Sequence, residues 1–122
     1  MRILTHNSLK NPSKAAAEGF PLGLEIGEMK VVEAPLNADF IRATLPGLDW
    51  SGLLIAARAV GLSDLPERYD PALLADPSFV QSMHTLLLEV HVETGVLVCS
   101  ETAKRFPIVK GIPNMLCAET EV

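Results

Sequence analysis

Polar and apolar positions along the chain fall into two regimes, short β-type runs at both ends and helical periodicity in the middle. Arg2-Ile3-Leu4 is a short apolar run that predicts a first strand. Gly19-Phe20-Pro21 punctuates the chain before a second run over 22–26, and Gly27 separates it from Met29-Lys30-Val31-Val32. Short β-branched runs bounded by Gly and Pro are the mark of a small antiparallel sheet. From Asn37 the period lengthens. Asn37 is placed to cap a helix over 38–45 with Phe40, Ile41 and Leu45 on one face, ended by Pro46-Gly47. Asp49 caps a second helix over 50–60, where Trp50, Leu53, Leu54 and Ala57 recur at helical spacing and Gly61 suits the residue after its end. Asp70-Pro71 and Asp76-Pro77 each pair a capping side chain with proline at the first helical position, and the second opens a helix through Phe79, Val80, Met83 and Leu87. The period then reverts to two: Leu88, Val90 and Val92 alternate with Glu89, His91 and Glu93. Thr94-Gly95 predicts a turn into 96–99, and a further run spans 105–109.

Neither end alone holds enough strands for an independent sheet, so the two ends are expected to pair with each other. The fold class that follows is α+β, with an antiparallel β module built from both chain ends (1–35 and 88–122) and an inserted helical domain (36–87).

Composition narrows the function. The 122 residues are 48% hydrophobic, enough for one core, and the mean hydropathy of +0.27 points either to a large core or to apolar surface meant for a partner. The longest uncharged apolar stretch, 80–88, is interrupted by Gln81, Ser82, His84 and Thr85 and falls well short of the ~20 residues of a membrane span. The apolar part of the start, Met1 to His6, is too short for a signal peptide. Two cysteines, Cys99 and Cys117, make no disulfide framework, and a reducing compartment is expected. The formal net charge of -5 weighs against a primary nucleic-acid binder. Basic groups nevertheless gather near the ends, as Arg2, Lys10 and Lys14 and as Lys104, Arg105 and Lys110.

Catalytic constellations are missing. The chain has no Gly-rich phosphate loop, no Gly-x-Ser-x-Gly elbow and no His-Glu-x-x-His helix. His84 sits beside the stripe Val80, Met83, Leu87 and reads as a buried or boundary histidine, Trp50 reads as core, and His91 falls on the polar face of a strand. His6, in the polar tripeptide Thr5-His6-Asn7, either holds a turn or contacts a partner. Gly111-Ile112-Pro113-Asn114-Met115-Leu116 is harder to place in a core. Pro113 cannot donate to a sheet ladder, which puts the segment on an edge or outside the sheet, yet it keeps three large apolar side chains. An apolar edge is either a hazard or a docking surface.

The opening Met1-Arg2-Ile3-Leu4-Thr5-His6-Asn7-Ser8-Leu9-Lys10 resembles the start of the multifunctional methyltransferase activator subunit family. Gly19-Phe20-Pro21-Leu22, Asp49-Trp50, Met83-His84-Thr85-Leu86-Leu87-Leu88-Glu89-Val90 and Phe106-Pro107-Ile108-Val109-Lys110-Gly111-Ile112-Pro113-Asn114-Met115-Leu116 continue the likeness in order, across essentially the whole chain. The resemblance implies a zinc-ribbon-like β module with a helical insertion, and a non-catalytic subunit, cytoplasmic and nuclear. Its partners would be class I methyltransferases of tRNA, small-subunit ribosomal RNA and a translation release factor, bound as heterodimers. S-adenosylmethionine would belong to the partner. The family's four zinc-binding cysteine positions fall here on Asn11, Ala16, Cys99 and Thr102, so zinc is expected to be absent and the ribbon to hold by packing. The expected docking surface sets Thr5-His6-Asn7 beside 112–116. Leu9, Ile112, Met115 and Leu116 form its apolar centre, His6, Asn7 and Asn114 its rim, Pro113 contributes backbone, and Phe40 extends it. The competing reading is an autonomous RNA-binding module using Lys10, Lys14, Lys104, Arg105 and Lys110, against which the scarcity of aromatic stacking platforms weighs.

Overall fold

The structure, a computed structural model, describes residues 1–11, 19–62 and 65–115, and within them both chain ends meet in one sheet. Strands β1 (Gly23–Val31), β2 (Val90–Val98), β3 (Arg105–Val109) and β4 (Ile112–Pro113) form an antiparallel meander in the order β1-β2-β3-β4. Between β1 and β2 run helices α2 (Ala38–Thr44), α3 (Trp50–Ala59) and α4 (Pro77–His84), with 3-10 turns at Leu45–Gly47 and Pro71–Ala75. A six-residue helix, α1 (Ile3–Ser8), precedes the sheet. The α+β class and the pairing of the two ends are as the sequence predicts.

The capping residues do what their chemistry suggests. Asn37 accepts from the Phe40 N–H at 3.0 Å, Asp49 from Gly52 at 2.8 Å, Asp70 from Ala72 and Asp76 from Ser78, both at 2.9 Å. Their apolar stripes converge on the sheet in one core, in which Ile41, Leu53, Met83 and Leu87 are sealed against Val92, Leu97, Phe106 and Ile108. Each such side chain contributes about 1.5–3 kcal/mol by leaving water. Trp50 lies at the margin, tilted against Tyr69 and Phe79, with its Nε1–H donating to the Pro66 carbonyl at 3.1 Å. His84 is buried, its Nε2 3.0 Å from the Ala34 carbonyl.

Four local expectations are corrected. Arg2-Ile3-Leu4 is not a strand. Arg2 makes one bridge to His91, and the helix begins at Ile3, because Ile3, His6 and Asn7 share the i, i+3, i+4 face that packs inward. Gly27 does not separate two strands: β1 runs through it as a bulge, with register shifts on either side of Glu28. Thr94-Gly95 is not a turn either, since β2 is continuous from Val90 to Val98. Gly95 is there because a Cβ would collide with the Glu25 carbonyl oxygen of the neighbouring strand. The strand predicted from Leu88 begins two residues later. Thr85–Glu89 instead prolongs α4 as a π-helical turn, which carries Glu89 inward to accept from Thr85 Oγ1 and the Ala34 N–H, both at 2.9 Å.

Candidate partner-docking interface

Alternation along β3 sets the character of the far edge of the sheet. Phe106 and Ile108 point into the core, so Arg105, Pro107 and Val109 must point out. Lys110 and Gly111 turn the chain with φ of 51° and 77°, and β4 folds back to pair Val109 with Ile112 and Ile108 with Pro113. The pairing sets Ile112, 69% exposed, beside Val109, 57% exposed. Pro107, Pro113 and the half-buried Met115 complete an open apolar groove of about 630 Å³. Asn114 donates its backbone N–H to the Pro107 carbonyl at 2.9 Å and so holds the end of the segment against β3. β4 is the terminal strand of the sheet, as the proline required.

Only half of the expected patch is assembled there. His6 is fully buried and Asn7 nearly so, and neither forms a rim. The His6 Nε2–H donates to the Leu22 carbonyl at 2.7 Å, and burial pulls its pKa below the ordinary 6.5 although that bond pushes back. Its Nδ1 has no partner. The Asn7 side chain grips the backbone of Asp49, donating to its carbonyl at 2.9 Å and accepting from its N–H at 3.0 Å. Both side chains brace α1 against β1 and α3. Thr5 is exposed, Leu9 packs partly against the core, and Phe40, 36% exposed on α2, does not line the groove. Leu116 lies outside the described residues.

The basic groups differ in their surroundings. Arg105 is engaged by the Glu25 carboxylate through two bonds of 2.9 and 3.2 Å, Lys104 is half-buried, Lys10 and Lys110 are exposed, and Lys14 lies outside the described residues. At the opposite edge of the sheet the structure shows apolar surface that the sequence reading missed: Met29, Val31, Val32 and Leu36 are exposed along and beyond β1. The signal was Val31-Val32, two adjacent apolar residues that cannot both face one core from a strand.

At the family's zinc positions, the described residues do not fit the metal. Asn11 Nδ2 donates to Thr102 Oγ1 at 3.0 Å, and both side chains hydrogen-bond the Cys99 sulfur. Burial pushes the Cys99 thiol up, but these bonds and the backbone N–H groups of Thr102 and Glu101 together hold it below the ordinary 9.0. Among the described residues no three His, Cys, Asp or Glu side chains gather. Ala16 lies outside them.

Comparison with known proteins is decisive for kinship. The chain is 44% identical over 124 residues, all of both chains, to the multifunctional methyltransferase subunit TRM112 homolog A of Arabidopsis thaliana. The chain belongs to the multifunctional methyltransferase subunit family. Relatives in that family include the TRM112-like protein of Mus musculus, 36% identical over 99% of this chain and 98% of the mouse protein. Another is trm112 of Schizosaccharomyces pombe, 33% identical over the full length of both. No protein-family profile matches the chain. A solved structure of the E. cuniculi Mtq2–Trm112 complex, described as responsible for methylating the eRF1 translation termination factor, superposes with a TM-score of 0.63 at 18% identity over 95% of both chains, and so shares the fold.

Proposed function

We propose that this chain is a non-catalytic subunit that docks on S-adenosylmethionine-dependent methyltransferases of the translation machinery, as a heterodimer, and keeps them soluble and competent. Membership of the family supports the methyltransferase as partner, and the E. cuniculi complex supplies one kind of target, a translation termination factor. The motif resemblance in the sequence extends the proposal to partners that methylate tRNA and small-subunit ribosomal RNA, and to action in the cytoplasm and nucleus. S-adenosylmethionine belongs to the partner.

The observation that carries the docking site is the β4 edge. Val109, Ile112 and Pro107 form a continuous apolar surface at β4, the terminal strand of the sheet among the described residues, so an extended segment of the partner can lie along it while its side chains cover the groove. Ile112→Asp is the test. With a co-expressed methyltransferase the variant should lose co-purification, because docking would bury an unpaired carboxylate. Its circular dichroism should match wild type, since the side chain is exposed in the free subunit. Retained tight binding would move the docking face elsewhere, with the β1 strip of Met29, Val31 and Val32 next in line.

A further inference from the structure

We infer that a polar lock, made by Asn11 and Thr102 around the Cys99 sulfur and by Gly19 against Glu101, joins the two chain ends in place of the metal that the family pattern implies. Packing alone was the expectation for a ribbon without zinc, and the geometry is more specific than that. Asn11 and Thr102, 91 residues apart, are bonded side chain to side chain at 3.0 Å. Thr102 Oγ1 also accepts from the Lys104 N–H at 3.3 Å, which ties it to the loop that carries Cys99. The loop carrying that sulfur is closed on itself, with Cys99 N–H donating to Lys104 O at 2.9 Å and Ala103 N–H to Cys99 O at 2.8 Å.

A second strut runs parallel to the first. Gly19 accepts from the Asn11 N–H at 2.8 Å and donates its own N–H to Glu101 Oε1 at 2.9 Å. Gly19 has φ of 65°, and a Cβ there would stand 2.7 Å from the Asn11 carbonyl oxygen, closer than carbon and oxygen tolerate. The centre of the lock is largely shielded: Asn11 is 4% exposed and Cys99 1%, and Thr102 is half-buried. Losing a bond here costs more than losing one at the surface, because the groups are shielded from water. It also opposes metal binding. An amide nitrogen has no lone pair to offer, and the threonine hydroxyl is already committed, so of the described positions only the Cys99 sulfur keeps the character of a zinc ligand.

The experiment is thermal unfolding of the full chain, with and without a strong chelator, alongside elemental analysis. The lock predicts far less than one zinc per chain and a melting temperature unmoved by chelation. Thr102→Val and Asn11→Ala should each lower that temperature by about 4–8 °C, and the double variant by little more than the larger single loss, because each removes the same bond. Thr102→Ser keeps the hydroxyl and should restore most of the Thr102→Val loss, which separates the hydrogen bond from packing. Stoichiometric zinc with chelator-induced unfolding would overturn the inference. So would a Thr102→Val variant as stable as wild type, or single losses that simply add.

Discussion

His6 shows how far one residue can depart from its sequence character. Its position in a polar tripeptide suggests a surface group, yet it is fully buried with one ring nitrogen bonded and the other without a partner. Burial, only partly offset by the bond to Leu22, holds the folded pKa below 6.5, so below that pH the unfolded chain takes up a proton that the folded chain refuses. Stability conferred by neutral His6 is therefore complete above 6.5 and declines as pH falls toward the lowered folded value. Urea midpoints measured between about pH 7.5 and 5 should fall with acidification, and His6→Gln, which can still donate to the Leu22 carbonyl, should flatten that slope. An unchanged slope in the variant would assign the acid sensitivity to another group. Glu89 acts in a lower window. The Ala34 N–H and the Thr85 hydroxyl hold its carboxyl below the ordinary 4.5, so its contribution is present above that value and lost on stronger acidification.

At the scale of elements, α1 is the least self-sufficient piece of the fold. Six residues are too few for a helix to stand alone, and tertiary contacts decide it. Two of these contacts are polar: His6 to Leu22 ahead of β1, and Asn7 to Asp49 at the head of α3. Asn7 uses both ends of its amide on the backbone of the very residue whose side chain caps α3. Asn7→Ala should destabilise the chain by about 1–3 kcal/mol, read as a lower urea midpoint with an unchanged slope. Hydrogen exchange should speed up across 3–8 and 50–53 while the α4 amides stay protected. Uniform loss of protection would mean that α1 and α3 are not coupled through this contact. The α3 and α4 helices, in contrast, carry their own caps and stripes and were legible in the sequence for that reason.

For the whole molecule, the question is what kind of surface faces a partner. The net charge is -5, Arg105 is paired with Glu25, and the groove at β4 is lined mainly by apolar side chains, with Lys110 and Asn114 among them. Docking driven by that groove should tolerate salt. A purified heterodimer should co-elute in size-exclusion chromatography from about 0.1 M to about 1 M sodium chloride, whereas attraction resting on phosphate contacts would collapse over that range. Dissociation at high salt, or tight salt-sensitive binding of RNA by the lone subunit, would favour the basic residues as the working surface.

The sequence alone determined the elements whose signals are local: four capped helical starts, the run over 105–109, and the exclusion of Pro113 from the interior of a sheet. It also determined that both termini must share a sheet, since neither could complete one, and its motifs in register carried the family likeness. Tertiary structure decided the rest. Whether Arg2-Ile3-Leu4 extends or coils depended on what His6 and Asn7 could reach, and both found backbone partners far along the chain. Whether Gly95 turned or continued depended on a neighbouring strand whose carbonyl leaves no room for a side chain. And the apolar segment at 112–115 became a continuous exposed apolar surface through pairing, which set Ile112 beside Val109. The physical reason is common to all three: period and caps act over a few residues, while a buried polar group or an edge is defined only by what lies across from it.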